Sequence, residues 1–253
     1  MSLLEAIGVT RRFGGLTAVN GVDFSIDEGE IVAVIGPNGA GKTTFFNCIT
    51  GVLPATSGRI LFSGRDITHE RPWNIARMGV SRTYQNIRLF GGASVLDNVR
   101  IGYHQHIRSG FWPSLFKIAS MRREEADVRQ KCLAILDYVG LKGNYNDYAE
   151  NLSYGDQRRL EIARVLAMKP KLVLLDEPTA GMNPDETGRM CDLIESVRQS
   201  DIAILIIEHD MNVVMGVCDR IVVLNYGAKI AEGPPEEIQS NQEVIEAYLG
   251  KEE

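Results

Sequence analysis

Four short runs of Val, Ile and Leu stand out along the chain: IVAVI at 31–35, LVLL at 172–175, IAILII at 202–207 and IVVL at 221–224. Each run is continuous rather than alternating, and none is long enough for a helix. Each therefore predicts a strand buried on both faces of a parallel sheet. Between the second and third runs the period changes. Met190, Leu193, Ile194 and Val197 fall on one helical face, Asn183 stands where an N-cap is needed, and Pro184 fits the first turn. Strand, helix, strand in succession predicts an α/β sheet.

Two stretches depart from this pattern. Near the start, Val22, Phe24 and Ile26 alternate with polar residues before DEG leads into IVAVI, which predicts a small antiparallel β region beside the parallel core. From 89 to 160 no strong strand run occurs. Val128, Cys132, Ile135 and Val139 make a helical face there, and the chain reads as helix again from Arg158 onward. The expectation is one domain: an α/β core with its β region over 1–88 and 161–253, and a helical lobe over 89–160. Its least regular segment is YHQHIRSGFWPSLFKIASMRRE at 103–124.

Composition narrows the partners. Hydrophobic residues make up 44% of 253, enough to bury a sizeable core. A net charge of −6 argues against nucleic acid, which needs clustered Lys and Arg for its phosphates. Cys48, Cys132, Cys191 and Cys218 are scattered with no C-x-x-C pair, so free thiols in a reducing compartment are expected. The opening MSLLEAIGVTRRFGG lacks the basic start and apolar run of a signal peptide, and no apolar run could span a bilayer. A cytoplasmic protein able to dock on a membrane protein is expected.

The chemistry begins at GPNGAGKTT, which directly follows the IVAVI strand and matches G-x-x-x-x-G-K-[ST]. In this stretch Gly36, Pro37, Asn38, Gly39, Ala40 and Gly41 form a loop whose backbone N–H groups can turn toward phosphate oxygens. The next helix adds its N-terminal dipole. Lys42 supplies a charge for the outer phosphates, and the hydroxyl of Thr43, beside Thr44, can ligate Mg²⁺.

LVLLDEP ends a buried strand with two acids, at the sheet edge where open α/β folds bind ligands. Asp176 suits a Mg²⁺ contact through water, and Glu177 is placed to orient and deprotonate an attacking water. Without a phosphate loop the pair would read as an ordinary helix start. His209 ends a further strand on the same edge, where it can donate to a terminal phosphate or hold the water; a lone His is otherwise most often structural.

Together these motifs resemble the ATP-binding subunit of an ABC transporter over nearly the whole chain. In that family's terms GPNGAGKTT is Walker A and LVLLDEP is Walker B. Gln85 in SRTYQNIRLF looks like the Q-loop glutamine, which contacts Mg²⁺ and water. TAGMNPD at 179–185 sits where the D-loop belongs, and His209 matches the switch histidine. Phe13 occupies the place of the aromatic that stacks on adenine; the alternative is a core position in the β region. LSYGDQ resembles the signature LSGGQ, with Ser153 and Gly155 retained. Tyr154 replaces the first glycine, and Asp156 puts an acid near a helix end aimed at phosphate. The resemblance implies an RecA-like P-loop NTPase core, bound ATP and Mg²⁺, and a head-to-tail pair with an identical or paralogous ATPase. In such a pair each signature completes the partner's nucleotide site.

RFGGLTAVNGV, RTYQNIRLF, LSYGDQRRLEIARVLA, EPTAGMNP, IEHDM and EVIEAYLG resemble the larger ATPase of the branched-chain amino-acid uptake systems. That implies membrane permease subunits as partners, a substrate-binding protein acting through them, and a peripheral place on the inner face of the membrane. Nucleic acid is not an expected partner. The ATPase of lipopolysaccharide export is a near relative. A soluble DNA-repair or ribosome-associated ATPase fits less well, because the chain has one ATPase unit and no long coiled coil between the Walker motifs. A regulatory module without turnover fits poorly with an intact Glu177 and His209. The permease would dock around 86–102. A second candidate surface is formed by His104, His106, Phe111, Trp112, Phe116, Arg122 and Arg123, which fit equally well as a solvated helix pair.

Overall fold

The computed structural model describes residues 2–104 and 118–249. It divides into two compact units, Met1–Gln85 with Lys171–Glu253, and Asn86–Pro170. The expected lobe of 89–160 is thus displaced at both ends. A cut at 160 would split one continuous helix, Tyr154–Leu166, whose buried residues run through Val165.

The first unit holds two sheets. The smaller has the order β2-β1-β4-β5, from β1 (Leu4–Phe13), β2 (Leu16–Ile26), β4 (Ser57–Phe62) and β5 (Arg65–Asp66), and is antiparallel throughout. The alternation seen in sequence holds: Val22, Phe24 and Ile26 are buried and their neighbours face out. The larger sheet has the order β10-β9-β3-β8-β7-β6. Its strands are β3 (Ile31–Ile35), β6 (Val80–Arg82), β7 (Leu172–Asp176), β8 (Ala203–Ile207), β9 (Arg220–Asn225) and β10 (Ala228–Gly233). All pairs are parallel except β10 with β9. The four apolar runs become the four central strands, and β3, β7 and β8 are buried along their whole length. The outer strands β6 and β10 carry no such run, so the sequence pattern did not reveal them.

Helix α1 (Lys42–Ile49) follows β3 and buries Phe45, Phe46, Cys48 and Ile49 in a core shared with both sheets. Phe45 meets Phe24 of the small sheet edge-to-face at 5.7 Å. Short helix α2 is Pro72–Met78. In the second unit α3 spans Val95–Tyr103, α4 Ile118–Tyr138 and α5 Tyr154–Leu166. The buried face of α4 is Val128, Cys132 and Leu136, continued by Val139 just past its end. Ile135, expected on that face, is only partly covered because a step of four from Cys132 reaches Leu136. Back in the first unit, α6 (Pro184–Arg198) has Asn183 as its cap and Met190, Leu193, Ile194 and Val197 buried, as read; Glu186 adds the reciprocal bond of a capping box, which was not anticipated. It is followed by α7 (Met211–Val217), α8 (Pro235–Gln239) and α9 (Gln242–Leu249).

No helix of the described residues is long and apolar enough to cross a membrane. The four cysteines are free thiols, and burial pushes Cys48 and Cys132 up to about 11 and Cys218 up to about 12, so these three stay protonated near neutral pH. Of the aromatic-basic surface, His106, Phe111, Trp112, Phe116 and the side chain of Arg122 lie outside the described residues.

Candidate functional site

Strand order decides where the chemistry collects. β3, β8, β7 and β6 are parallel neighbours, so the segments leaving their C-terminal ends share one edge of the sheet. Gly36 leaves β3, His209 follows β8, Asp176 and Glu177 end β7, and Gln85 lies three residues past β6. A cleft of about 280 Å³ opens there, lined by residues 38–44, Ala18, Gln85, Glu177 and His209.

The loop 36–41 needs glycine where it is tightest. Gly36 has φ 147°, and a Cβ there would lie 2.0 Å from the Leu224 carbonyl oxygen. Gly41, the N-cap of α1, has φ 101°, and its Cβ would meet the Ala18 carbonyl oxygen at 2.3 Å. Lys42 is buried, and its Nζ donates to the carbonyls of Gly36 at 2.6 Å and Pro37 at 3.0 Å. The lysine thus holds the loop as well as charging it. Desolvation lowers its pKa from the ordinary lysine value, and the carboxylates of Glu177 and Asp176 push partly back.

Glu177 is the centre of the cleft. Its Oε2 accepts from Gln85 Nε2 at 2.9 Å, and its Oε1 lies 3.0 Å from His209 Nε2. Glu177 is also a non-glycine residue with φ 51°, a conformation that costs about 1–3 kcal/mol and persists only where neighbours enforce it. Its backbone N–H donates to the Ile207 carbonyl at 2.8 Å, one of those constraints.

Asp176 is buried behind Glu177. Its Oδ2 accepts from Arg82 Nη2 at 2.6 Å, and Arg82 Nη1 donates to Asn47 Oδ1 at 2.7 Å. The guanidinium lies over the rings of Phe46 and Tyr84. Arg82 was not anticipated. Its strand β6 is three residues long, and nothing in VSR marks a buried arginine.

One expected residue of the first unit stands apart from the cleft. Phe13 ends β1 at 43% exposure, which rules out the core reading, and the Arg11 guanidinium sits 4.6 Å over its ring. It is not among the residues lining the cleft. Ser153 and Gly155 belong to the second unit. There Ser153 caps α5: its Oγ accepts from Asp156 N at 3.2 Å and donates to Asp156 Oδ2 at 2.9 Å. Asp156 also pairs with Arg159. The departure from the common signature is therefore locally compensated. Asp156 serves as the acidic member of a cap, and its charge is matched by a cation. Tyr154, the other departure, accepts from Arg158 Nη2 at 3.0 Å, and Arg158 forms a buried ion pair with Glu161. Burial raises the Glu161 pKa, opposed by the Arg88 N–H, Arg158 and Arg164.

The arrangement offers a helix start and a lysine that can hold an anion, with a carboxylate, an imidazole and an amide beside them. That is the equipment for transfer of a phosphoryl group to water. Among the described residues no cluster of three Asp, Glu, His or Cys side chains could cage a metal.

The chain matches the family model described as ABC transporter over residues 19–180, and that of the branched-chain amino acid ATP-binding cassette transporter over 228–253. It is 47% identical over 250 residues, 98% of both chains, to the high-affinity branched-chain amino acid transport ATP-binding protein LivG of Salmonella typhimurium. It is 46% identical, with the same coverage, to BraF of Pseudomonas aeruginosa, which carries the same description. A crystal structure of the ADP conformation of an ATP-binding cassette of an ABC transporter superposes with a TM-score of 0.87 at 32% identity, covering 99% of this chain and 100% of that one. With its phosphate loop, its Glu177 and His209 at one sheet edge, and this likeness along its length, the chain belongs to the ABC transporter family as an ATP-binding, ATP-hydrolysing subunit.

Proposed function

We propose that this subunit powers the uptake of branched-chain amino acids through membrane permease subunits. It would do so from the inner face of the membrane, with a substrate-binding protein delivering the cargo. The likeness to LivG and BraF over 98% of the chain supports the cargo, and the convergence of Gln85 and His209 on Glu177 carries the hydrolytic reading.

In this reading the amides of 38–41 and the charge of Lys42 hold the β- and γ-phosphates of ATP, and Phe13 stacks on adenine. Glu177 takes the proton from the attacking water. His209 and Gln85, which stand beside that carboxylate, contact the γ-phosphate and the water. Thr43, Gln85 and Asp176 offer hard oxygen donors that suit Mg²⁺, with phosphates and water completing the shell. The fit rests on the oxygen chemistry of this set: Asp176 gives one carboxylate oxygen, Oδ2, to Arg82, and its second oxygen would serve the ion. When bound, the ion neutralises charge on the phosphates. Ser153 and Gly155 contact the nucleotide of a second ATPase subunit paired head to tail, identical or paralogous.

Deleting the gene and measuring uptake of labelled leucine tests the proposal. Saturable uptake should fall and return with the wild-type gene but not with Glu177→Gln. Undiminished leucine uptake in the deletion strain would overturn the cargo assignment.

A further inference from the structure

Glu208 is an acid at 3% exposure, and no cation pairs with it among the described residues. Burying an uncompensated carboxylate costs several kcal/mol, so its retention calls for a reason. Its partners are all hydrogen-bond donors from two different turns. Oε1 accepts from the backbone N–H of Thr179 at 3.0 Å and from the Thr179 hydroxyl. Oε2 accepts from the N–H of His209 at 2.8 Å and of Asp210 at 3.4 Å.

These two turns carry the reacting side chains. Thr179 lies two residues after Glu177, and His209 follows Glu208 directly. Between β7 and β8 the backbone pairing runs out at Asp176 opposite Ile207 and the Glu177 N–H on Ile207. Beyond that point the Glu208 side chain replaces the sheet as the bond between the strands. The 3.0 Å contact of His209 with Glu177 and the left-handed backbone of Glu177 both sit inside this closed loop of bonds.

We propose that Glu208 is a positioning residue for ATP hydrolysis: its buried carboxylate clamps the turn after β7 to the turn after β8, and so sets His209 against Glu177. This rests on the hydrolytic roles proposed above for those two residues. An acid is required because all four partners are donors, and only an ionised carboxylate accepts at both oxygens. In Glu208→Gln one oxygen becomes an NH₂ that faces N–H groups, and one turn is released.

The experiment compares steady-state ATPase kinetics and ATP affinity, by isothermal titration, for wild type, Glu208→Gln, Thr179→Val and the double variant. Glu177→Gln is the control. Glu208→Gln should lose about 10²-fold in kcat, the cost of misplacing a reacting group by about 1 Å. ATP affinity should not change, because the phosphate loop is untouched. Thr179→Val removes one donor and should lose less. The double variant should be no slower than Glu208→Gln, because both changes break the same clamp. If Glu208→Gln does not fold, Thr179→Val carries the test through the same split between kcat and affinity. A normal rate in Glu208→Gln or additive losses would overturn the proposal, as would ATP affinity falling in step with kcat. A normal rate in Glu177→Gln would overturn the hydrolytic reading, and this inference with it; a dead Glu177→Gln beside an unaffected Glu208→Gln removes the inference alone.

Discussion

Arg82 Nη2 lies 2.6 Å from Asp176 Oδ2, with both side chains only 5% exposed. The pair sits under the phosphate site and ties β6 to β7. Neither side chain has water to screen it, so removing one partner strands the other's charge. Arg82→Met is expected to destabilise the fold by about 3–5 kcal/mol, read from urea unfolding. Neutralising both, as Arg82→Met with Asp176→Asn, should recover part of that loss. A single variant within about 0.5 kcal/mol of wild type, the range of an ordinary surface change, would show that the pair adds nothing to stability.

Glu177→Gln tests the base. The amide keeps the size of the side chain but cannot take a proton from water. Nucleotide should bind as before, while hydrolysis slows about 10²–10⁴-fold, the range for a lost general base. An ATP-bound dimer should accumulate and be visible by size-exclusion chromatography. Turnover near the wild-type rate would leave Glu177 a structural acid.

Lys42 ties binding to pH. Its pKa in the free protein is held below the ordinary 10.5 by burial. Phosphate placed beside it favours the charged form and raises that pKa. Between the two values binding therefore takes up a proton, and affinity weakens as pH climbs through the lower one. Titrations with Mg-ATP at alkaline pH, in buffers of different ionisation enthalpy, should show this uptake, and well below the free value it should vanish. Lys42→Ala should bind no detectable ATP and show no such linkage. Unchanged affinity in that variant would remove the phosphate-loop assignment.

Ser153 tests whether sites are shared between two chains. Ser153→Arg should still bind ATP but fail to close on a partner. Mixed with Lys42→Ala, it forms dimers in which one site is doubly broken and the other joins two wild-type faces. Each variant alone should be inactive, and the mixture should regain part of the ATPase rate. Titrating wild type with either variant checks that mixed dimers form and that one intact site turns over. If that control is active and the mixture stays dead, Ser153 does not complete a partner's site.

Continuous apolar runs, the Asn183 N-cap and a strand-loop-helix phosphate motif are local features, and the sequence by itself determined them. IVAVI, LVLL, IAILII and IVVL had to be central strands, because such runs tolerate burial on both faces. Asn183 and Glu186 closed their cap within three residues. What each loop residue does to its neighbours was not local. Arg82 meets Asp176 across 94 positions, and Thr179 meets Glu208 across 29. Those meetings exist because β6, β7 and β8 lie side by side in one sheet, an order with no periodic signature in the chain. Burial adds the second part. An arginine in VSR or a glutamate in IEHD reads as a solvated charge until the fold removes the water around it. Only then must it find partners, and the partners it finds set the geometry around Glu177.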